Sequence, residues 1–222
     1  MRKVLIVVAG PVGAGKSTQI RYLASHLRRV GKRVRVTYLK TVFILTRGLL
    51  SIFKSLGVSK EGLHKVHQLA VTIDLIMNTF LLSLLALLRV RLTLKFFDYV
   101  LVEEYLPGIL VDYFHATKVF RLNQRLMLRF IKLILGSLYL PCFTTFIITC
   151  SPSLLPHRWR TRNSPQETPS YLEAQNYIFT LWSRYVKNVF QFHTDDKSVK
   201  DTFREIKAIL YSLESKKWEE GL

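Results

Sequence analysis

The most informative stretch of the chain is VLIVVAGPVGAGKSTQI, residues 4–20. It opens with Val4 to Ala9, a continuous apolar run that ends at a glycine, which is typical of a central parallel strand covered on both faces. The motif G-x-x-x-x-G-K-[ST] follows without a gap, at Gly10, Gly15, Lys16 and Ser17. Apolar residues then recur at helical spacing to about residue 30, so the stretch predicts a strand, a phosphate-binding loop and a helix.

The loop after this strand is predicted to bind the phosphates of a nucleotide. Glycines let successive backbone N–H groups turn around an anion, and the following helix presents the positive end of its dipole. Lys16 is expected to reach the β and γ phosphates, and the Ser17 hydroxyl to hold Mg²⁺. A tight turn without a ligand would leave both side chains unexplained, so ATP and Mg²⁺ are the expected ligands. The predicted loop residues are Gly10, Pro11, Val12, Gly13, Ala14, Gly15, Lys16, Ser17 and Thr18.

The rest of the chain alternates between strand and helix patterns. Four further strands are predicted at 33–39, 99–103, 144–150 and 188–194. Helical patterns cover about 42–92, interrupted near Gly57 and Gly62, then 114–140 and 198–218. This alternation indicates an α/β fold with a parallel sheet. Because no linker is visible among the 222 residues, we expect one domain over 1–222.

Charge is the most unusual bulk property, since 33 Lys and Arg stand against 15 Asp and Glu, a net charge of +18. Such a field attracts anions, whether nucleotides, nucleic acid or an acidic membrane surface. One cationic stripe is expected on the helix predicted over 114–140, formed by Lys118, Arg121, Arg125, Arg129 and Lys132. A solvated helix face is the favoured interpretation of this stripe, and nucleic acid or an anionic membrane is the alternative partner.

Two other features bear on the compartment of the protein. Cys142 and Cys150 have no partnering histidine cluster, so we expect reduced thiols in a cytoplasmic protein rather than a disulfide or a metal site. The apolar run 75–88 has 14 residues, fewer than the roughly 20 that cross a bilayer. Asp74 and Asn78 interrupt its approach, and a buried helix is therefore predicted.

A second functional segment is ITCSPSLLPHRWRTRN, residues 148–163, in which Arg158, Arg160 and Arg162 alternate. Phosphoryl transfer spreads negative charge over the oxygens of the moving group, and mobile guanidinium groups neutralise it while excluding water. We therefore predict an arginine-bearing lid over about 152–170. An ordinary solvated loop or a nucleic-acid contact is the alternative for this segment.

The loop, the acid after the third predicted strand and the lid together resemble the thymidylate kinases, within the P-loop nucleoside monophosphate kinase group. The resemblance implies a five-stranded sheet in the order 2-3-1-4-5 and Mg²⁺-dependent transfer of phosphate from ATP to an acceptor, dTMP by default. It also implies that Lys16, Glu103 and the three lid arginines take part in catalysis. A homodimer is a further expectation from the family.

The acceptor side departs from the family pattern. Thymidylate kinases typically carry Asp-Arg-aromatic at the end of the third strand, where this chain has Glu103, Glu104 and Tyr105. Glu103 is placed to hold Mg²⁺ or orient the acceptor, and Glu104 reverses the charge of the expected arginine. Lys40 follows the second strand in place of an Arg-Glu-Pro turn, and Asp74 precedes a leucine where the family has an arginine. The predicted acceptor-binding residues are Lys40, Asp74, Glu104 and Tyr105.

Three functions remain open at this point. A nucleoside monophosphate is the default acceptor of a thymidylate kinase-like enzyme, whereas a nucleoside fits the paired glutamates better because a carboxylate can take the proton of an attacking hydroxyl. A P-loop module that uses ATP to switch its binding of nucleic acid or another partner is the alternative from a different class.

Overall fold

Five parallel strands form one sheet in the computed structural model, which describes residues 3–43, 46, 48, 60–139 and 143–219. The strands are β1 Val4–Ala9, β2 Val34–Leu39, β3 Tyr99–Glu104, β4 Phe143–Thr149 and β5 Val189–His193. They lie in the order β2-β3-β1-β4-β5, and every neighbouring pair is parallel. The predicted fold class and strand order are therefore confirmed.

Helices cover both faces of the sheet. They are α1 Lys16–Arg29, α2 Lys60–Ala86, α3 Thr93–Phe96, α4 Tyr105–Val119, α5 Gln124–Leu138, α6 Leu155–Thr161, α7 Pro169–Tyr185 and α8 Val199–Glu219, and a π-helical turn, Leu87–Arg91, joins α2 to α3. Side chains alternate along a strand, so Leu5 and Val7 of β1 pack with α2, α4, α5 and α7, while Ile6 and Val8 pack with α1, α6 and α8. Two cores thus fix the sheet from opposite sides.

The helix predicted over 114–140 is two helices. The α4 helix ends at Val119, and α5 begins at Gln124 after a turn in which Arg121 has a φ of 49°. Asn123 caps α5, because its side chain accepts a hydrogen bond from the backbone N–H of Leu126 at 3.2 Å. The prediction of one continuous cationic stripe is therefore wrong, since its members lie on α4, on the turn and on α5.

The long predicted helix over 42–92 corresponds in part to α2. Gly62 lies inside α2, so the interruption predicted there is wrong, and Gly57 lies outside the described residues. The stretch from His64 to Phe96 is long and apolar enough to cross a membrane by length and composition.

This helical stretch has one buried and one exposed apolar side. Leu75, Leu82 and Val90 are fully buried in the core, whereas Met77, Phe80 and Leu84 are between 51% and 67% exposed. The prediction of a buried helix is therefore confirmed for one side of α2 and wrong for the other.

The parallel order brings three loops to one edge of the sheet. Val8 of β1 is in register with Glu103 of β3, and Leu39 of β2 with Glu104. The loop after β1, the two glutamates and the segment after β2 therefore meet at the carboxyl ends of adjacent strands, which is where open α/β sheets bind ligands. Beyond β4, Cys150 is a free thiol whose pKa is raised by burial, and Cys142 lies outside the described residues.

Candidate active site

The loop between β1 and α1 depends on its glycines. Gly10 has a φ of +146°, and a Cβ atom built there would overlap the backbone carbonyl of Ile148 in β4. Gly15, at the start of α1, has a φ of +103°, in the left-handed region. No side chain fits at Gly10 without moving β4, so the sequence motif and the local geometry agree.

Lys16 is held inside this loop. It is 5% exposed, and its ammonium donates to the carbonyl oxygens of Gly10 at 2.7 Å and Pro11 at 3.0 Å. Its Nζ also lies 3.0 Å from Oε1 of Glu104. A buried cation requires such partners, and together they fix the ammonium beside the backbone that would surround a phosphate.

Ser17 and Glu103 form the second contact of the loop with β3. The Ser17 hydroxyl donates to Oε1 of Glu103 at 2.9 Å. Mg²⁺ in phosphoryl-transfer sites takes a hydroxyl or carboxylate oxygen or two, together with water and substrate phosphates. These two oxygens fit a Mg²⁺ ion that takes its other ligands from water and from the substrate phosphates. In the described part of the chain, no group of three or more His, Cys, Asp and Glu side chains could hold a metal ion.

The end of β3 has a strained backbone. Glu104 and Tyr105 have φ values of 74° and 52° in succession, a conformation that costs free energy in residues other than glycine. Gly108 makes room for the result, because a Cβ atom at that position would lie 2.5 Å from Oε2 of Glu104. The strand ends at this turn, the helix α4 begins at Tyr105, and Glu104 is paired with Lys16.

A buried carboxyl lies next to this turn. Asp112 of α4 is 7% exposed and accepts hydrogen bonds from the hydroxyls of Thr41 and Tyr171, the latter at 2.6 Å. Burial raises its pKa to about 7, against the lowering effects of the Tyr171 hydrogen bond and the charge of Lys40. Glu104 raises the same pKa by repulsion, so the two carboxyls share one region of the site.

The segment after β4 packs directly on the phosphate-binding loop. Trp159 donates from Nε1 to the carbonyl of Val12 at 2.7 Å, and the N–H of Val12 donates to Oε2 of Glu167 at 3.1 Å. Gln175 donates to the other oxygen of Glu167 at 3.0 Å. Burial raises the pKa of Glu167. The Glu167 carboxylate therefore accepts the hydrogen bond of one backbone N–H group of the phosphate-binding loop.

The three predicted lid arginines do not share one face. They lie on or next to a short helix, α6, in which residues two apart point to different sides. Arg158 donates to the hydroxyl and carbonyl oxygens of Thr194, at 2.9 and 2.7 Å, and with Arg162 it lines a pocket of about 260 Å³ against Gly13 to Gly15. Arg160 is exposed and bonds to Pro156 within its own helix. Arg160 therefore does not lie with the other two at the pocket, and a catalytic role for it stays a prediction.

Of the predicted acceptor-binding residues, Glu104 lies at the loop and Lys40 is exposed near Asp112. The prediction for Tyr105 is wrong, because its ring is 1% exposed in the core and its hydroxyl donates to the carbonyl of Leu138. Asp74 is buried and accepts two hydrogen bonds from Thr46, at 2.8 and 2.6 Å. Its carboxyl therefore holds the segment after β2, and an acceptor role for it stays a prediction.

Sequence reasoning missed Asp112, Trp159, Glu167 and Thr194. Asp112 had a usable signal, since a lone acid in the apolar run GILVDYF, residues 108–114, requires a buried partner or a function. Glu167 had none, because it lies in a polar segment without periodicity and reaches a loop 155 residues away.

Comparison with known proteins supports the fold. The crystal structure of thymidylate kinase from Ehrlichia chaffeensis superposes with a TM-score of 0.59, over 95% of this chain and 100% of that one, at 15% sequence identity. No family model matches the sequence, and no curated protein matches it. The chain therefore has a P-loop NTPase α/β fold. Within that class its architecture is similar to that of a thymidylate kinase.

Proposed function

We propose that this chain is an ATP- and Mg²⁺-dependent phosphotransferase whose acceptor is a nucleotide or a nucleoside-like molecule. The observation that supports this best is the pair of contacts between the phosphate-binding loop and β3. Lys16 meets Glu104 at 3.0 Å, and Ser17 meets Glu103 at 2.9 Å. A cation, a hydroxyl and two carboxylates thus converge at one point of a loop built for phosphate.

Each group has a role that follows from its place. The backbone N–H groups of the loop and the start of α1 bind the phosphates of the donor, and Lys16 neutralises the charge of the transferred group. Arg158 and Arg162 line the pocket beside the loop and bind the donor from the lid side. Ser17 and Glu103 would hold Mg²⁺, which would offset the charge of the donor phosphates.

The test is an ADP-release assay with a panel of nucleoside monophosphates, dTMP included, and nucleosides. One acceptor should raise the rate of ADP release well above that of ATP hydrolysis without acceptor. Lys16→Ala should remove this turnover, whereas Arg160→Ala, which changes an exposed arginine outside the pocket, should leave most of it. If no acceptor raises the rate, the proposal is wrong.

The net charge of +18 favours a second candidate, a module that binds nucleic acid under the control of ATP. This candidate predicts tight binding of DNA or RNA with a steep salt dependence. It also predicts that Lys16→Ala abolishes the effect of ATP on this binding while leaving binding itself in place. If the chain binds neither DNA nor RNA, this second candidate is wrong.

A further inference from the structure

We propose that the acceptor is a nucleoside-like alcohol, which presents a free hydroxyl and no phosphate to the transferring group. This inference rests on the proposed phosphotransferase function and concerns the same site. It follows from the charges that face Lys16, from the contacts of the nearby arginines and from the position of Glu104.

A group of carboxyls lies near Lys16 at the end of β3. Glu104 forms an ion pair with Lys16, and Glu103 is the preceding residue of the same strand. Glu104 also acts by its charge on both Asp112 and Glu167, raising the pKa of each. Four carboxyls therefore share this region, and the pKa values of two of them are raised, which marks surroundings unfavourable to negative charge. An acceptor phosphate would bring between one and two negative charges into it.

No arginine is hydrogen-bonded or ion-paired to these carboxyls among the residues that the structure describes. Arg158 and Arg162 line the pocket on the donor side of the loop, Arg91 donates to the carbonyl of Ser137, and Arg33 is paired with Asp98. The basic side chains that act on these carboxyls are Lys16, which the donor phosphates require, and the exposed Lys40. An acceptor phosphate would therefore lack the bidentate guanidinium partners that such groups commonly have.

Phosphorylation of an alcohol needs a proton acceptor, and this site contains carboxyl groups that can accept a proton. A phosphate monoester attacks through an oxygen that is already ionised, whereas a hydroxyl must lose a proton as it attacks. When the γ-phosphoryl group is transferred, the hydroxyl oxygen of the acceptor forms a bond to the γ phosphorus while the bond from that phosphorus to the bridging oxygen of ATP breaks. ADP leaves, and the proton passes to a carboxylate.

Glu104 is the carboxylate placed to take that proton. Its Oε1 lies 3.0 Å from the Nζ of Lys16, the atom expected to contact the transferred group. Glu103 is engaged with Ser17 at the expected metal position, so the two neighbouring glutamates serve different partners. The strained backbone at 104 and the space left at Gly108 hold the carboxylate in this place.

The first experiment compares each nucleoside with its own 5′-monophosphate, by product analysis with ATP and Mg²⁺. We expect at least one nucleoside to be phosphorylated with a kcat/KM roughly tenfold or more above that of its monophosphate. Preference for a monophosphate overturns this inference and leaves the proposed function intact. Turnover of neither class, measured alongside ATP binding, overturns the proposed function and this inference with it.

The second experiment tests the role of Glu104. Glu104→Gln should lower kcat for the alcohol by roughly 100-fold while ATP affinity stays within a few-fold of the parent. The loss should fall on kcat and leave the KM for the alcohol within a few-fold of the parent, a split that a merely structural change would not produce. Glu173→Gln, an exposed glutamate of α7, is the matched control. An unchanged kcat in Glu104→Gln would overturn the assignment.

Discussion

Glu104 shows how one residue can be forced into position by its neighbours. It ends β3 with a positive φ, and the next residue, Tyr105, also has a positive φ while its ring is anchored in the core. The anchored ring and the ion pair with Lys16 hold the backbone between them in a costly conformation. Strain of this kind persists where the surroundings determine the geometry, and here the outcome is a carboxylate placed at a phosphate-binding loop.

Gly108→Ala tests this placement at the residue scale. The added Cβ would lie 2.5 Å from Oε2 of Glu104, so the carboxylate must shift away from Lys16. We expect the turnover assayed by ADP release to fall by about tenfold or more, at little cost in thermal stability because alanine favours the helix by roughly 1 kcal/mol.

The control for this substitution is Gly136→Ala in α5, where a Cβ meets nothing within 4 Å. This variant should gain stability and keep full turnover. Equal turnover in both variants would show that the position of Glu104 is unimportant.

Asp112 gives a prediction about pH. Burial raises its pKa from 3.8 to about 7, so between these values the unfolded chain loses the proton while the folded chain keeps it. The contribution of Asp112 to stability therefore falls as the pH rises through this window. Relative to Asp112→Asn, the parent should lose on the order of 2 kcal/mol of unfolding free energy between pH 5 and pH 7.

Urea denaturation of both proteins at the two pH values measures this difference. Comparing the parent with the variant cancels the titration of the other groups, including Lys40, Glu104 and Glu167, to the extent that they are unchanged. An equal change of stability with pH in the parent and in Asp112→Asn would mean that the buried carboxyl is already ionised at pH 5.

At the scale of elements, the strands were the most predictable part of the chain. Each central strand buries both faces, so its sequence is a continuous apolar run, and the predicted limits of β1 match the structure. The helices of 105–138 were less predictable, because apolar residues continue at helical spacing on both sides of the turn at Arg121. Only the cap at Asn123 marks the second start.

The sequence predicted a lid over about 152–170 without assigning secondary structure to it. Pro156 lies in the first turn of α6 and is compatible with a helix start. The contact of Glu167 with Val12 could not be predicted, since it depends on how the folded segment returns to the loop. Tertiary packing, rather than local pattern, decides which lid side chains reach the site.

The geometry of α6 predicts unequal roles for its arginines. Arg158→Ala and Arg162→Ala remove side chains that line the pocket beside the loop, and each should raise the KM for ATP by about tenfold, the equivalent of one lost charged contact. Arg160→Ala should change it by less than twofold. Steady-state kinetics at varied ATP measure this, and a larger effect for Arg160→Ala than for the other two would refute the arrangement.

At the scale of the whole molecule, the exposed side of the helical stretch 64–96 is the most unusual surface. Ten large apolar side chains there are between 38% and 67% exposed. They are Leu69, Ile73, Met77, Phe80, Leu81, Leu84, Leu87, Leu88, Leu92 and Phe96. Monomers rarely expose a contiguous apolar surface larger than a few hundred Å². Ten exposed apolar side chains along one helical stretch therefore indicate a surface that contacts a partner.

A second copy of this chain is the occupant that we expect on this surface. The opposite side of α2 is fixed to its own domain, because Asn78 and Thr79 are buried and hydrogen-bonded to Val42 and Tyr113. The helix is therefore not free to leave the domain and cross a membrane. Its exposed side carries no charge from Leu69 to Leu88, so two copies related by a two-fold axis would bury it without unpaired ions.

Sedimentation of the variant Phe80→Lys/Leu84→Lys tests this expectation. The parent should sediment as a dimer and the variant as a monomer, because two lysines per copy would be buried at the contact. Tyr185→Lys, a change at a 75% exposed aromatic residue of α7, should leave the dimer intact. A monomeric parent, or binding to anionic vesicles that the double substitution abolishes, would contradict the dimer.

The contacts of Glu104 with Lys16 and of Glu167 with Val12 have a consequence for selectivity. A chain with a net charge of +18 gathers anions of every kind around it. At the loop, an incoming anion must first displace the Glu167 carboxylate from the N–H of Val12 and must share Lys16 with Glu104, so its apparent affinity is reduced to the extent that Glu167 occupies the loop. These side chains act as internal competitors, so that abundance near the surface is not enough for an anion to enter. A ligand occupies the loop when it binds there more strongly than the protein binds itself.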